Sequence, residues 1–539
     1  MFRPPVTAAV WLALLAPCVV RAGDPAAVDV AALRAHAEFL GDDSLRGRDS
    51  GSPEYAIAAQ YAATRFASWG LAPGAGASFL QPVRFAEALV RKSSLVTRRA
   101  GRRAELSGLA DYLIFGGMSE EKGKVSAEVA FVGYGVEAPE LGRHDYEGVD
   151  VRGKIVLLVK GAPASFPTDQ RAHYSSTRLK AELAEQRGAI GILIVRDRSE
   201  EARIPWRRVQ SYADRPRTAW VAEDGAIKDA FPGIAFSALL SREGAAKLLD
   251  GTADSLDSLL DSAERLDYRS RSLPVKLDVT FESRLSRSES PNVAAILPGS
   301  DPALRGEYVV VSAHLDHVGV GRAVEGDTIY NGFFDNALGS SILLETARVA
   351  ATAALRPRRS ILFLLVTGEE RGLLGSDFFA HHPTVPAGAL VADVNVDMPL
   401  LLAPAADLVA FGGEHSSLGA LAEAAVAAHG FALIPDPMPE EVIFVRSDQY
   451  SFVRQGVPSI YLTAGSGTVG GGDAQAKASG EFLARHYHQP SDEIELGADW
   501  DSAARFTAAQ ADLIRAIADA DARPTWNAGD FFGETFGRR

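Results

Sequence analysis

Residues Ile361–Val366 (ILFLLV) form an unbroken apolar run bounded by Ser360 and Thr367. So short a run reads as a strand covered on both faces, as in a parallel sheet. Its surroundings agree. From about residue 290, the strand-like runs NVAAILPG, EYVVVSAH, ALVADVNVD, DLVAFGG and VPSIYLTA alternate with helical stretches at 340–355, 373–382, 416–429, 447–455 and 500–521. In the first of these helices Leu343, Ala347, Ala350 and Ala354 share one face. Such alternation implies an α/β fold, a mostly parallel or mixed sheet flanked by helices.

With 539 residues, the chain exceeds one ordinary domain. Residues 31–70 read as helices, stopped by Gly70, Pro73 and Gly74. Residues 80–125 alternate weakly and read as short strands. From 126 to 275, the runs VAFVGYG, KIVLLVKG, AIGILIVRD and IAFSALL surround helices at 175–188 and 244–251 and an Arg-rich excursion at 198–218. This is a compact β-rich unit without clustered metal-type ligands. His144 and His173 within it read as surface or structural groups. Residues 526–539 are a polar-aromatic tail.

Net charge is −14, which argues against nucleic acid as a main partner. The basic stretch Arg91, Lys92, Arg98, Arg99, Arg102 and Arg103 reads as a solvated hairpin. Arg3, the apolar run Ala8–Val20 and the small-x-Ala sequence Val20-Arg21-Ala22 read as an export signal over residues 1–22. The implied location is periplasmic or secreted. Cys18, the only cysteine, lies inside it, and Pro17 argues against a lipid anchor there. The mature chain would hold no thiol and no transmembrane segment; no feature sets an oligomeric state.

Five stretches carry the chemistry: AHLDH (313–317), GFFDNALG (332–339), TGEERGLLGS (367–376), NVDM (395–398) and YHQPSD (487–492). Three of them follow expected strands, delivering His314, Glu369 with Glu370, and Asp397 to the edge where open α/β sheets bind ligands. Each motif alone is weak, since a strand-end His or Asp is commonly a cap and a Glu pair is commonly a solvated turn. Together they offer His314, Asp316, Asp335, Glu369, Glu370, Asp397 and His488, which suits two zinc-class ions roughly 3.5–4 Å apart sharing a carboxylate. Asp335 is the natural bridge. His314 with Asp397 would complete one ion, and Glu370 with His488 the other. Glu369 is then free to take a proton from the attacking water and pass it to a leaving amine. Asp316 can orient His314. Cobalt or manganese fit the same N and O donors. The remaining histidines, including His317, His381, His382, His415, His429 and His486, read as surface or structural.

The motif set resembles metallopeptidase family 28, di-zinc aminopeptidases and glutamate carboxypeptidase II-like enzymes. The N-terminal FLGDDSLRGRDSGSPE (39–54) and GLAPG resemble the lead-in of secreted members. Residues 126–275 resemble an inserted protease-associated domain. The resemblance implies a 23–125 segment packed on the core, a di-zinc peptidase domain over 285–525 with a phosphorylase/hydrolase-like fold, and the 526–539 tail. It implies zinc on His314, Asp335, Glu370, Asp397 and His488, Glu369 as general base and Asp316 behind His314. Tyr487 matches an oxyanion-stabilising tyrosine of some members, and Arg446 an arginine near it; a packed Tyr and a surface Arg fit equally well. Many relatives read GADDNASG where this chain has GFFDNALG, so a more apolar wall is expected around Asp335.

The implied activity is an exported aminopeptidase acting on peptides. A carboxypeptidase or dipeptidase would instead need a cationic pocket, for which Arg203, Arg207 and Arg208 are candidates. A non-catalytic, receptor-like protein is disfavoured because all ligands and the base are present.

Overall fold

The computed structural model describes residues 27–537. The expected signal segment 1–22, with Cys18, lies outside them. Among the described residues no helix is long and apolar enough to cross a membrane.

The central sheet runs, from one edge, Ala432–Ile434, Asp407–Phe411, Ser459–Ala464, Leu390–Asn395, Tyr308–His314, Ser360–Val366 and then the end of Arg271–Leu297. Tyr308–His314 lies parallel to both neighbours, with His314 level with Val366 and Ser312 level with Asn395. Every residue of Ser360–Val366 is buried, as expected of a strand covered on both faces. The pleat divides it: Phe363 and Leu365 join one core, and Leu362 and Leu364 the other. The first core is closed by helices Val30–Leu40, Pro53–Ser68, Leu338–Thr352, Leu418–Ala428 and Trp500–Asp519, the second by Leu374–His381 and Gln449–Val453. Ser52 caps Pro53–Ser68 by accepting from the Tyr55 N–H, with Pro53 in the first turn, where it lacks no needed donor.

Arg271–Leu297 is one strand of 27 residues. It pairs antiparallel with Leu80–Arg99 along most of its length, with Lys122–Phe131 early and with Ser360–Val366 at its end. Two expectations change here. Residues 80–125 hold a strand of 20 residues, not only short ones. The boundary between 275 and 285 falls inside an unbroken strand, so one backbone ladder joins the inserted unit to the core. The reason is local: from Glu282 to Glu289 no residue of this strand is buried, while its partner strand buries Phe85, Ala86, Ala88 and Leu89. The apolar side chains of that stretch come from the partner strand, so no hydrophobic alternation marks residues 282–289.

Beyond the ribbon, Lys122–Phe131, Ile155–Val159, Gly191–Val195 and Phe236–Leu240 are parallel, and Tyr112–Gly116 adds an antiparallel edge from outside the expected 126–275 span. Arg98, Arg99, Arg102 and Arg103 sit on a hairpin, as read. The tail is docked rather than free. Trp526, Phe531, Phe532 and Phe536 pack with Phe411, Phe444 and Tyr450.

Candidate metal centre

His314 ends its strand, Glu369 and Glu370 follow Val366, and Asp397 follows Asn395, so the parallel register brings three loops to one sheet edge. Asp335 comes from a loop entered at Gly332 and leading into Leu338–Thr352; its peptide bond to Asn336 is cis. His488 lies between Ala474–Arg485 and Ile494–Leu496, with φ at +54°. That left-handed backbone is uncommon for histidine and recurs at functional sites.

The two oxygens of Asp335 face different ways. Oδ1 lies 3.2 Å from His314 Nε2, which is also 3.0 Å from Asp397 Oδ1. Oδ2 lies 3.2 Å from His488 Nε2, which is also 3.1 Å from Glu370 Oε2. One carboxylate thus joins two donor sets. Despite burial, hydrogen bonds from His314 and His488 hold Asp335 well below the usual carboxylate range. Against the same burial, Asp397 raises His314 and Glu370 raises His488. These carboxylates favour protonated imidazoles where no cation is bound, and metal binding would release those protons.

The loops are braced from behind. Asp492 accepts the Phe334 N–H at 2.9 Å through one oxygen and the Asp335 N–H at 3.1 Å through the other. Arg48, fully buried, donates to the carbonyls of Leu315 at 2.8 Å, Leu40 at 2.9 Å and Gly332 at 2.7 Å, and to that of Asn331. Ser50 Oγ accepts the Gly368 N–H at 2.8 Å. The N-terminal segment therefore forms part of the centre's scaffold. Arg48, Ser50 and Asp492 stand inside the quoted motifs, yet only their long-range contacts assign them this role.

Several expectations need correction. His314 Nδ1 stands 3.1 Å from the backbone carbonyl of Asp316, not from its carboxylate. That contact still turns Nε2 toward Asp335 and Asp397. The Asp316 carboxylate takes the Glu369 N–H at 3.2 Å, and burial pushes it up to about 6. Phe333 and Phe334 do not line a wall at Asp335. Both are fully buried and pack against each other, Trp500 and Phe482. Hydrophobic burial turns them into the core and leaves Asp335 alone facing the site. His317, read among surface or structural histidines, is completely buried, with Nδ1 2.7 Å from Glu370 Oε1. The spacing HLDH carried that signal, since it places a second imidazole on the same loop.

Glu369 adjoins the centre. Burial first, then Asp397 and Glu370, push its carboxyl well above the usual range. Tyr487 stacks on His488 with centroids 4.0 Å apart, and burial raises its hydroxyl. Arg446 is exposed and pairs with Glu441 at 3.0 Å; it makes no hydrogen bond to Tyr487. Arg208 does reach the centre, donating to the Tyr487 carbonyl at 3.0 Å. Glu370, Tyr487 and His488 open on a cavity of about 1420 Å³ whose other walls carry Arg207, Arg208 and Arg215.

The residues fit zinc-class metal, since His314, Asp335 and Asp397 make one close donor group and His317, Asp335 and Glu370 another. Glu370 Oε1, both His317 nitrogens and Asp316 Oδ2 are buried with no hydrogen-bond partner. Buried polar atoms are rarely left so, and here His317 and Glu370 lie within reach of Asp335.

Residues 292–514 match the model of peptidase family M28, and residues 123–234 that of the PA domain. Residues 292–514 are thus similar to peptidase family M28. The chain is 31% identical over 120 residues to leupeptin-inactivating enzyme 1 of Streptomyces exfoliatus, covering 22% of this chain and 24% of that protein. It is 24% identical over 214 residues to a probable leucine aminopeptidase 2 of Aspergillus oryzae, covering 38% and 40%. Each match spans less than half of the relative's length. Among solved structures, an aminopeptidase from Aneurinibacillus sp. strain AM-1 shares the fold, with TM-score 0.53 at 19% identity, covering 91% of this chain and 94% of that one.

Proposed function

We propose that this chain is a two-zinc aminopeptidase releasing N-terminal residues from peptides. The observation that carries the reading is the split of Asp335, one oxygen toward His314 and Asp397, the other toward His488 and Glu370. When bound, the two ions would polarise the scissile carbonyl and make water more acidic. His314, Asp397, Asp335, Glu370 and His488 would hold them. Glu369 takes the proton of the attacking water and returns it to the leaving amine. The Tyr487 hydroxyl, kept protonated by burial, is suited to donate to the developing oxyanion. Asp316 and Asp492 hold the loops still. Hydrolysis of unblocked aminoacyl reporters that stops with chelator and returns with zinc is expected; hydrolysis indifferent to chelator would overturn the reading.

A second reading has its own support. Arg207, Arg208 and Arg215 border the cavity, and among the described residues none pairs with a carboxylate. Unpaired cations at a cleft favour peptides with acidic side chains or a free C-terminal carboxylate. Cleavage of N-blocked but not C-blocked peptides would select this carboxypeptidase reading. Export is also proposed, supported by Arg3, the apolar run Ala8–Val20 and Val20-Arg21-Ala22. A mature N-terminus at Gly23 in cell fractions would support it, and an uncleaved cytoplasmic chain would contradict it.

A further inference from the structure

We propose that His317 is a further protein ligand to the ion held by Glu370, His488 and Asp335, an inference that rests on the two-ion reading above. Nδ1 of His317 lies 2.7 Å from Glu370 Oε1 and 3.9 Å from Asp335 Oδ2. An N–H aimed at a carboxylate over the shorter distance would be a strong hydrogen bond. It is not one. Neither His317 nitrogen, nor Glu370 Oε1, has a hydrogen-bond partner. The two atoms stand 2.7 Å apart without the alignment of a hydrogen bond. Cis ligands of one ion stand this way, because each lone pair points at a common centre. With bonds near 2.0–2.1 Å, such donors sit about 3 Å apart. His317, Asp335 and Glu370 form one trio of donors within 4.8 Å of one another, His317 and Asp335 buried and Glu370 partly so. Glu370 would then present Oε1 beside His317 and Oε2 beside His488.

The ring is held in place by backbone and by packing. The His317 N–H donates to the Arg48 carbonyl at 3.4 Å, and Asp49 bridges to it as a short strand pair. Gly332, at φ +61°, leaves space for the imidazole; a Cβ there would run into the ring. A complete burial with both nitrogens unsatisfied is not what packing alone selects, since an apolar side chain of similar shape would avoid the desolvation.

The consequence is an asymmetric pair. One ion would have two imidazoles and two carboxylates, the other one imidazole and two carboxylates. Imidazole-rich sets favour zinc over manganese or magnesium. The His317 side should therefore fill first and retain zinc longest.

The test uses the full chain, stripped of metal and titrated with zinc against a chromophoric chelator. Wild type is compared with His317→Ala and His317→Gln, and thermal midpoints are recorded with and without zinc. The wild type should take two ions. Each variant should weaken one by about 10- to 100-fold, leave the other unchanged, and melt metal-free at or above the wild-type midpoint. Unchanged affinities for both ions overturn the proposal while leaving the two-ion reading intact. A lower metal-free midpoint with both affinities reduced alike also overturns it, and marks His317 as a packing residue. A wild type that takes no zinc overturns the two-ion reading and this proposal together.

Discussion

Three histidine–carboxylate groups occur in the described residues, two sharing Asp335 and one at His415, and the two places behave oppositely. At Asp169, His415 and Asp530, His415 Nδ1 binds Asp530 Oδ2 at 2.6 Å while Asp530 Oδ1 accepts the Gly533 N–H at 2.8 Å. That cluster ties the tail to the core through the His415–Asp530 hydrogen bond, with Asp169 of the inserted unit 3.8 Å from His415 Nε2. At Asp335, by contrast, histidines and acids crowd together while several buried atoms stay unpaired. The residue types are the same. Whether lone pairs meet each other or converge on a shared point separates a structural clamp from a site for cations.

That contrast can be broken or sharpened by substitution. The largest effect is expected at the centre. Glu369→Gln should lower kcat by about 10²–10⁴-fold while zinc content stays at the wild-type level, measured by reporter turnover and elemental analysis. Next is the brace. Asp492→Ala strips the partners from the Phe334 and Asp335 N–H groups and should weaken zinc by about 10- to 100-fold, read by chelator competition. Smallest is the clamp. His415→Gln should cost about 1 kcal/mol in thermal or denaturant unfolding and leave zinc affinity alone. Its pH dependence has a definite sign. Burial opposes charge on His415, but Asp530, Glu414 and Asp169 prevail and raise it. Its contribution is then complete below the unfolded value near 6.5 and is lost as pH rises through the higher folded value. The gap between wild type and variant should therefore narrow from pH 6 to pH 9. A gap that widens contradicts the clamp.

Much of the core architecture was legible because burial on both faces leaves a continuous apolar run, as in Ser360–Val366. The ribbon joining the two units was not, because residues 282–289 bury no side chain of their own and leave that to the partner strand's Phe85, Ala86, Ala88 and Leu89. At the centre, strand-end placement pointed to His314, Glu370 and Asp397. His317 escaped because spacing alone cannot tell a buried imidazole from an exposed one. Phe333 and Phe334 misled because adjacency to Asp335 does not say which way a side chain turns. Arg48 and Asp492 act through contacts with backbone atoms distant in the chain, and no local pattern encodes those. The tail's docking likewise depends on a partner surface built 80 or more residues earlier, from Phe444 and Tyr450.

The most direct measurement is zinc per chain in the wild type and in Asp335→Ala, by elemental analysis after exhaustive dialysis. With both donor sets hinged on one carboxylate, the wild type should hold two ions and the variant should lose both affinities together. A wild type that holds none, or an Asp335→Ala chain that still holds two, would contradict the account.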